Sequence, residues 1–519
     1  MHNEVSFGAL NYLILFGYLA LLFYIGVRSS GKQETTEDLF LAKRNMPWLA
    51  VGMSMFASMT SAISYLGIPG IAYKENGSML VMGIVSPLLA PILIFLFYPF
   101  YRRLNVTTSY EYIGLRFGKA GRYAIAILFL LARLSWLGVV LYAPAVALSA
   151  TCGLDIKLSI ALMGVVSIVY TTIGGLAAVI WTDIAQYLIM TAGAICVVIS
   201  LIGAHPQGLM GIIHFAQSQN HLGEFSLHLD WFALTPLMVI ISLFFSSMQD
   251  YGTDQVTVQR LLAAKDMKGV TKAIIFNSLT DLAMTAMLAF IGLGMFAYYS
   301  LGIAKIPANI PGDSVLPYFI MHAFPVGVSG LIITAIYAAA MSAASAGANS
   351  VVTVAVNDLI RPVRKTVHAD AADLKLSRYL TLGVGFIATG IAIYASTLDS
   401  LLKASQNFLS AFAAPVLALF LLGMLTRKAH FWGWLIPAVI VASATLCMPK
   451  IWLVGGGVVF SLAKIEGARQ IHYYWYFPIA FMLVFTLGYI LSWILPGKHG
   501  APEYTVWGRH ALPSSDAKG

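Results

Sequence analysis

One recurrence constrains this chain more than any other feature. From Leu10 to Leu491, apolar runs of about twenty residues follow one another, separated by polar connections. A helix of that length crosses the ~30 Å hydrocarbon core of a bilayer. We count thirteen such spans, at 7–27, 48–73, 79–101, 121–150, 155–175, 181–203, 231–255, 270–300, 315–358, 376–396, 402–426, 430–449 and 471–495. The fourth and ninth are long enough to hold surface or re-entrant turns. Inside hydrocarbon the backbone must satisfy its own polar groups, so only helices and closed barrels span it. The near-continuous Leu, Ile, Val and Ala runs lack the alternation of barrel strands. The expected fold is an all-α polytopic membrane protein, and a composition of 59% hydrophobic and 10% charged residues is too apolar for a soluble domain.

Lys and Arg orient the chain. With the N-terminus outside and the C-terminus cytoplasmic, the inner connections carry 23 of them. The outer ones hold 7: Lys74, Lys157, Lys305, Lys403, Lys450, Lys464 and Arg469. The net charge of +9 follows from this bias and calls for no nucleic-acid partner. The opening "MHNEVSFGALNYLILF" has neither a positive leader nor a small-residue cleavage site, so the first run is expected to be a retained helix. Cys152, Cys196 and Cys447 have no partners at metal or redox spacing. "GVRSSGKQ" at 26–33 mimics a phosphate loop but ends in Gln33 and follows no strand. HExxH, CxxC and nucleophile-elbow motifs are absent from the sequence, so the reading is not an enzyme and needs no cofactor. The sequons at Asn76 and Asn105 are read as incidental.

The informative residues are polar groups inside apolar spans, where they mark ion or substrate paths. In "FASMTSAISYLGIPGIAY" small hydroxyl residues run into Gly67, Pro69 and Gly70, a segment expected to interrupt its helix. "FFSSMQDYGTDQ" in the seventh span, with Pro236 and Gly252, is a second candidate interruption. Two interrupted helices, each opening a set of five, are the mark of inverted repeats that bind at their interface. The stretch "AIYAAAMSAASAGANSVVTVAVNDLIRP" (335–362) carries Ser342, Ser345, Asn349 and Ser350 among Ala and Gly, as a helix pressed closely against a neighbour would. Ala339, Ser342 and Ser345 share roughly one face.

Several segments together resemble the sodium:solute symporter family, especially its branch of monocarboxylate, iodide and bacterial sialic-acid transporters. They are "TTEDLFLAKRNMPWLAVGMSMFAS" (35–58), "TTSYEYIGLRFG" (107–118), "LYAPAVAL" and "YTTIGGLAAVIWTDIAQ" between 141 and 186, "DQVTVQRLLAAKD" (254–266) and "NDLIRP" (357–362). The resemblance implies the leucine-transporter-type 5+5 inverted repeat with about thirteen transmembrane helices. Residues 1–30 would form an extra N-terminal helix, 48–203 the first repeat, 231–426 the second, 430–495 two C-terminal helices and 496–519 a short cytoplasmic tail.

It also implies a sodium site on carbonyls of Ala57, Thr60 and Ala339 and the hydroxyl of Ser342. Asp183 and Ser345 would belong to a further sodium site or exit path, although Ala346 replaces its second hydroxyl and Ala343 the usual second hydroxyl of the first site. Asp183 read alone is equally a helix-start acid stabilised by the dipole. Ser61 and Ser64 match substrate positions, and Ser64, where iodide-type members tend to have Gln, favours a carboxylate. Arg133 lies about 18 Å deep in the fourth span. It is expected either to clamp a substrate carboxylate or to pair with a buried acid such as Asp281. The sialic-acid branch has its arginine one turn later, at Trp136 here, which weighs against sialic acid itself.

The expected function is Na⁺-coupled symport of a small organic anion, a monocarboxylate or sugar acid, in the cell membrane. The alternatives are proton coupling on the same fold, a transporter-like sensor, or a channel. Substrate identity, ion stoichiometry and oligomeric state are not legible.

Overall fold

The computed structural model describes residues 7–29, 35–152, 155–223, 228–233, 235–307, 310–363, 370–396, 401–448, 451–454, 457–461, 468–496 and 500–508. The tail beyond Gly508, Lys450, Lys464 and the 30–33 end of the phosphate-loop-like stretch lie outside these residues. In chain order the helices are α1 (Ala9–Ser29), α2 (Thr36–Leu41), α3 (Trp48–Met59), α4 (Ala62–Lys74), α5 (Val85–Ile92), α6 (Tyr98–Leu104), α7 (Ser109–Cys152), α8 (Ile156–Ala204) and α9 (Gly208–Ser218). They continue with α10 (Pro236–Gly252), α11 (Gln255–Leu262), α12 (Met267–Ser300), α13 (Gly312–Ala323), α14 (Val328–Val354), α15 (Asp370–Ala395), α16 (Leu401–Leu425), α17 (Phe431–Cys447) and α18 (Tyr476–Ile494).

Length and apolarity together mark eight helices as able to cross a membrane among the described residues, or nine if α3 and α4, bent by 62°, form one span. The expected spans at 155–175, 402–426 and 430–449 present shorter apolar helices, Ile156–Val165, Ser410–Leu425 and Phe431–Cys447, and within 231–255 the helix α10 covers Pro236–Gly252. Three helices hidden from a hydropathy reading are short and fall essentially outside the apolar runs: α2, α9 within the 204–230 connection, and α11. The chain is not purely helical. Between α17 and α18, β1 (Ile451–Val454) and β2 (Gly457–Phe460) pair antiparallel with Ile451 opposite Phe460, both strands drawing on the β-branched and aromatic residues that favour them.

The expected connection at 176–180 does not exist as a loop. The chain turns at Gly175 alone, whose φ of +58° only glycine adopts freely, so that two spans join in the single element α8. The expected ninth span divides at Phe324–Gly327 into α13 and α14. Nor do Gly67, Pro69 and Gly70 break their helix: all three lie inside α4. Gly70 is there because a side chain at its position would meet the Gly312 backbone at 2.6 Å. The interruption falls earlier, at Thr60 and Ser61, both extended. The Ser61 hydroxyl accepts from the Ser64 amide at 3.4 Å, capping α4 and offering the backbone an alternative to continuing the helix.

A second interruption separates α10 from α11 at Thr253 and Asp254, where the Asp254 carboxylate caps α11 by accepting from the Val256 amide at 2.8 Å. Pro236 sits at the first turn of α10, where proline is tolerated, and breaks nothing. Around these breaks the serine-rich α14 is the central element. Its most apolar window is 94% buried, against 28% for that of α1. Ala, Ser and Gly let α3, α7 and α8 all pack against it.

Candidate functional site

Breaking a helix releases carbonyls, and the two breaks treat them differently. After α10, the carbonyls of Tyr251, Gly252 and Thr253 accept hydroxyl protons from Tyr98 (2.6 Å), Tyr101 (2.7 Å) and Ser109 (2.9 Å). After α3, the Thr60 amide closes on the Phe56 carbonyl at 2.9 Å, and no donor among the described residues reaches the carbonyls of Ala57, Ser58, Met59 or Thr60. A buried carbonyl without a donor is costly. Several of them converging at one helix end form an oxygen-lined site for a hard cation.

Beside that end stands a sealed polar cluster. Asp183, within α8, accepts from the hydroxyls of Ser54 on α3 (2.5 Å) and Ser342 on α14 (2.6 Å), and from Arg260 Nη2 on α11 (3.0 Å). Arg260 Nε also donates to the Ser54 hydroxyl at 2.8 Å, and its Nη1 to the Val256 carbonyl at 2.9 Å. Arg260 and Asp183 are almost completely buried, at 1% and 0%. The residue singled out on the path of a cation thus already carries an internal counter-charge. Asp183 lies eight residues past the Gly175 turn, too far into its helix for dipole stabilisation at the N-terminus. Ser345, fully buried, spends its hydroxyl on the Ser342 carbonyl at 3.0 Å, and Ala339, Ala343 and Ala346 complete a dry, close-packed face.

The substrate candidates line a cavity of about 290 Å³ that Ser61, Ser64 and Arg133 all enter, walled also by Trp136, Tyr473 and Tyr474. A smaller chamber of about 180 Å³ adjoins it, sharing Ser64, Ser247 and Asp250 and reaching Thr60 and Asp281. Arg133 is not paired with Asp281. Its Nη2 donates to Asp254, which is the acid of the second break. Its guanidinium also lies 4.7 Å from the Trp136 ring centre.

Reading the sequence alone passed over Arg260, Ser54 and Asp254. In the sequence Arg260 reads as one of the charges of an inner connection, whereas α11 carries it into the protein. The signal that could have found it is its place in "TDQVTVQRLL", where a polar stretch directly follows a broken span.

The sodium:solute symporter family model matches residues 39–440. The chain is 29% identical over 493 residues to the sodium/sialic acid symporter NanT of Aliivibrio fischeri, covering 94% of each. It is 32% identical to the sodium-dependent multivitamin transporter of Oryctolagus cuniculus, over 87% of this chain and 70% of that one. It is also 30% identical to the sodium-coupled monocarboxylate transporter 2 of Bos taurus, over 78% and 66%. Among solved structures, the substrate-bound outward-open state of a Na⁺-coupled sialic acid symporter superimposes with a TM-score of 0.86 at 25% identity, covering 96% of this chain and all of that one. The nucleobase-cation symporter Mhp1 shares the fold at a TM-score of 0.55 and 13% identity. With the family model matched over more than three quarters of its length, this chain belongs to the sodium:solute symporter family.

Proposed function

We propose that the protein is a secondary active symporter of the cell membrane that uses the sodium gradient to carry a small organic acid inward. The observation that carries this reading is the open end of α3: four carbonyls without donors, beside a Ser342 hydroxyl that Asp183 holds in place. Sodium would be held by the carbonyls of Ala57, Thr60 and Ala339 and by the Ser342 oxygen. Asp183 would act by orienting that hydroxyl, and Ser345 by bracing the helix. No further cofactor is needed. The relatives whose names give carboxylate cargo, sialic acid and monocarboxylates, favour a carboxylate here, received by Ser61, Ser64 and Arg133.

The thirteen spans are read as one helix before two five-helix repeats, 48–203 and 231–426, with two after them, the N-terminus outside and the C-terminus inside. In that orientation Tyr473 and Tyr474 lie toward the outer face, so the cavity they wall opens outward. Thr108 and Arg122, which bond Asp358 at 2.9 and 2.7 Å, close the inner side. Uptake of labelled organic acids into proteoliposomes under separately imposed Na⁺ and pH gradients tests the reading. Na⁺-driven uptake nearly abolished by Ser342→Ala is expected. Uptake that follows the pH gradient and ignores Na⁺ would overturn it in favour of proton coupling.

A further inference from the structure

Two walls of the cavity come from outside both proposed repeats. Tyr473 and Tyr474 stand beyond residue 426, in the single 3-10 turn (Tyr473–Trp475) that leads into α18. The fold fixes this turn from both flanks. Upstream, Leu453 and Arg469 exchange backbone hydrogen bonds at 2.9 and 3.0 Å, and the His472 amide donates to the Trp231 carbonyl at 2.8 Å. Downstream, the Trp475 indole donates to the Asp230 carbonyl at 3.0 Å, and its ring centre lies 4.7 Å from that of Trp231. Phe481 on α18 then packs on Phe245 of α10, with ring centres 4.9 Å apart. Residues 230 and 231 lead into α10, so the tyrosines are tied to the second broken helix and form a fixed part of the cavity wall.

The elements around the cavity are of two chemical kinds. The first break and α10 contribute Ser58, Ser61, Ser64, Ser242, Ser246 and Ser247, and no aromatic residue among the described ones. Phe129 and Trp136 on α7, Phe412 on α16, and Tyr473, Tyr474 and Phe477 supply rings. Arg133 stands among the rings. It shares one face of α7 with Phe129 and Trp136, at i, i+4 and i+7, and its guanidinium lies 6.0 and 4.7 Å from their ring centres. A carboxylate received there leaves the rest of its molecule beside aromatic surface. Rings gain most from such surface, by offset or edge-on packing, and an open chain loses more rotor freedom on binding than a ring does. The serine hydroxyls remain for polar substituents.

We propose that the cargo is a ring-bearing acid and that Tyr473 and Tyr474 are specificity-determining residues, against which its ring packs while its carboxylate faces Ser61 and Arg133. This rests on the reading of the cavity as the substrate site of a symporter and narrows its substrate class.

The test uses the full-length protein in sodium-containing buffer and pairs of acids with equal carbon number, one cyclic and one open. The pairs are benzoate with heptanoate, and glucuronate with gluconate. Binding is read as the concentration that half-maximally raises the melting temperature. The cyclic member of at least one pair should bind about fivefold more tightly or better, and the pair that shows it tells an aryl acid from a sugar acid. Tyr473→Ala and Tyr474→Ala should each weaken that cyclic acid by about two- to tenfold and leave its open counterpart unchanged, while Tyr473→Phe and Tyr474→Phe keep the preference. Where an alanine variant fails to fold, Tyr473→Leu and Tyr474→Leu take its place with the same expectation. Equal binding within both pairs, tighter binding of the open acids, no response to either cyclic acid, or variants that weaken both members of a pair alike overturns the inference. Na⁺-driven uptake that handles ring and chain alike would leave symport standing and sink the ring-bearing cargo. Ring preference lost in the variants, without any gradient-driven uptake, would uphold the tyrosine wall and overturn symport.

Discussion

The two helix breaks are built from the same device, a polar side chain capping the second half, and differ in what becomes of the carbonyls released by the first. At Thr253–Asp254 three hydroxyls consume them, and the charges there, Asp254 with Arg133, face the cavity. At Thr60–Ser61 they are left open, and the adjoining charges, Asp183 with Arg260, are sealed away. A broken helix is therefore not in itself an ion site. It becomes one where the protein withholds donors, and where it supplies them the break serves to aim side chains. In this molecule one break holds unfilled acceptor capacity and the other holds charge.

The largest effect should come from the strap that joins them. Arg260 belongs to the second broken helix, while its carboxylate partner and the Ser54 hydroxyl lie beside the first. Arg260→Met leaves Asp183 buried without its counter-charge, a loss of about 3–5 kcal/mol, to be read as a collapse in the thermal midpoint on size-exclusion chromatography. Pairing it with Asp183→Leu should recover much of that midpoint, since a buried ion pair replaced whole by apolar side chains is often nearly neutral. If Arg260→Met alone is as stable as the unmodified protein, the strap does not hold the breaks together.

Next in size are the tyrosines of α6. Tyr98→Phe and Tyr101→Phe each strip a donor from a buried carbonyl of the second break, at a cost of about 1–3 kcal/mol in stability. The half-saturating Na⁺ should stay where it is. A changed Na⁺ response in either variant would mean that the second break also holds an ion and would dissolve the contrast.

How much of this was legible depends on the range of the interaction concerned. Ser342, Asp183 and the hydroxyls of the third and fourth helices stand out because polar side chains inside apolar runs need a reason, and the structure does bring Ser342 and Asp183 into contact. The exact place of the first break did not stand out. Gly67, Pro69 and Gly70 are the stronger local signals, yet close packing against Gly312 and α12 absorbs them, while the weaker serine cap sets the interruption. Arg260 was hidden because a charge in a polar connection and a charge folded back under a helix read alike. Partners such as Arg133 with Asp254, 121 residues apart, are fixed by tertiary packing that no periodicity reports.

The first break's serines should separate by role. Ser61→Ala removes the α4 cap as well as a cavity hydroxyl, so about 1 kcal/mol of stability should go with it alongside weaker substrate binding. Ser64→Ala should weaken substrate binding by about 1 kcal/mol at an unchanged thermal midpoint, because no partner among the described residues uses its hydroxyl. Equal losses of stability in both would mean that Ser61 is not the cap that sets the break.

The smallest effect is the sharpest probe of the open carbonyls. Ala343 follows Ser342 on α14 and is 1% exposed, so a serine there adds one oxygen to a dry face at little cost in volume. That hydroxyl has two destinations. It can turn back onto the carbonyl of Ala339 four residues earlier, a common fate for a helical serine, as Ser345 already does onto Ser342. Or it can join an ion held at the end of α3. One added neutral ligand contributes about 1 kcal/mol, close to a five-fold fall in the half-saturating Na⁺, whereas a back-bonded hydroxyl leaves that concentration unchanged. Ala338→Ser supplies the control, with the same added atom and comparable burial on the other side of the helix. It should leave the half-saturating Na⁺ in place. A response to Ala343→Ser alone places the ion at the unfilled carbonyls, and equal responses from both positions would trace the effect to the packing of α14 and leave the first break without its ion.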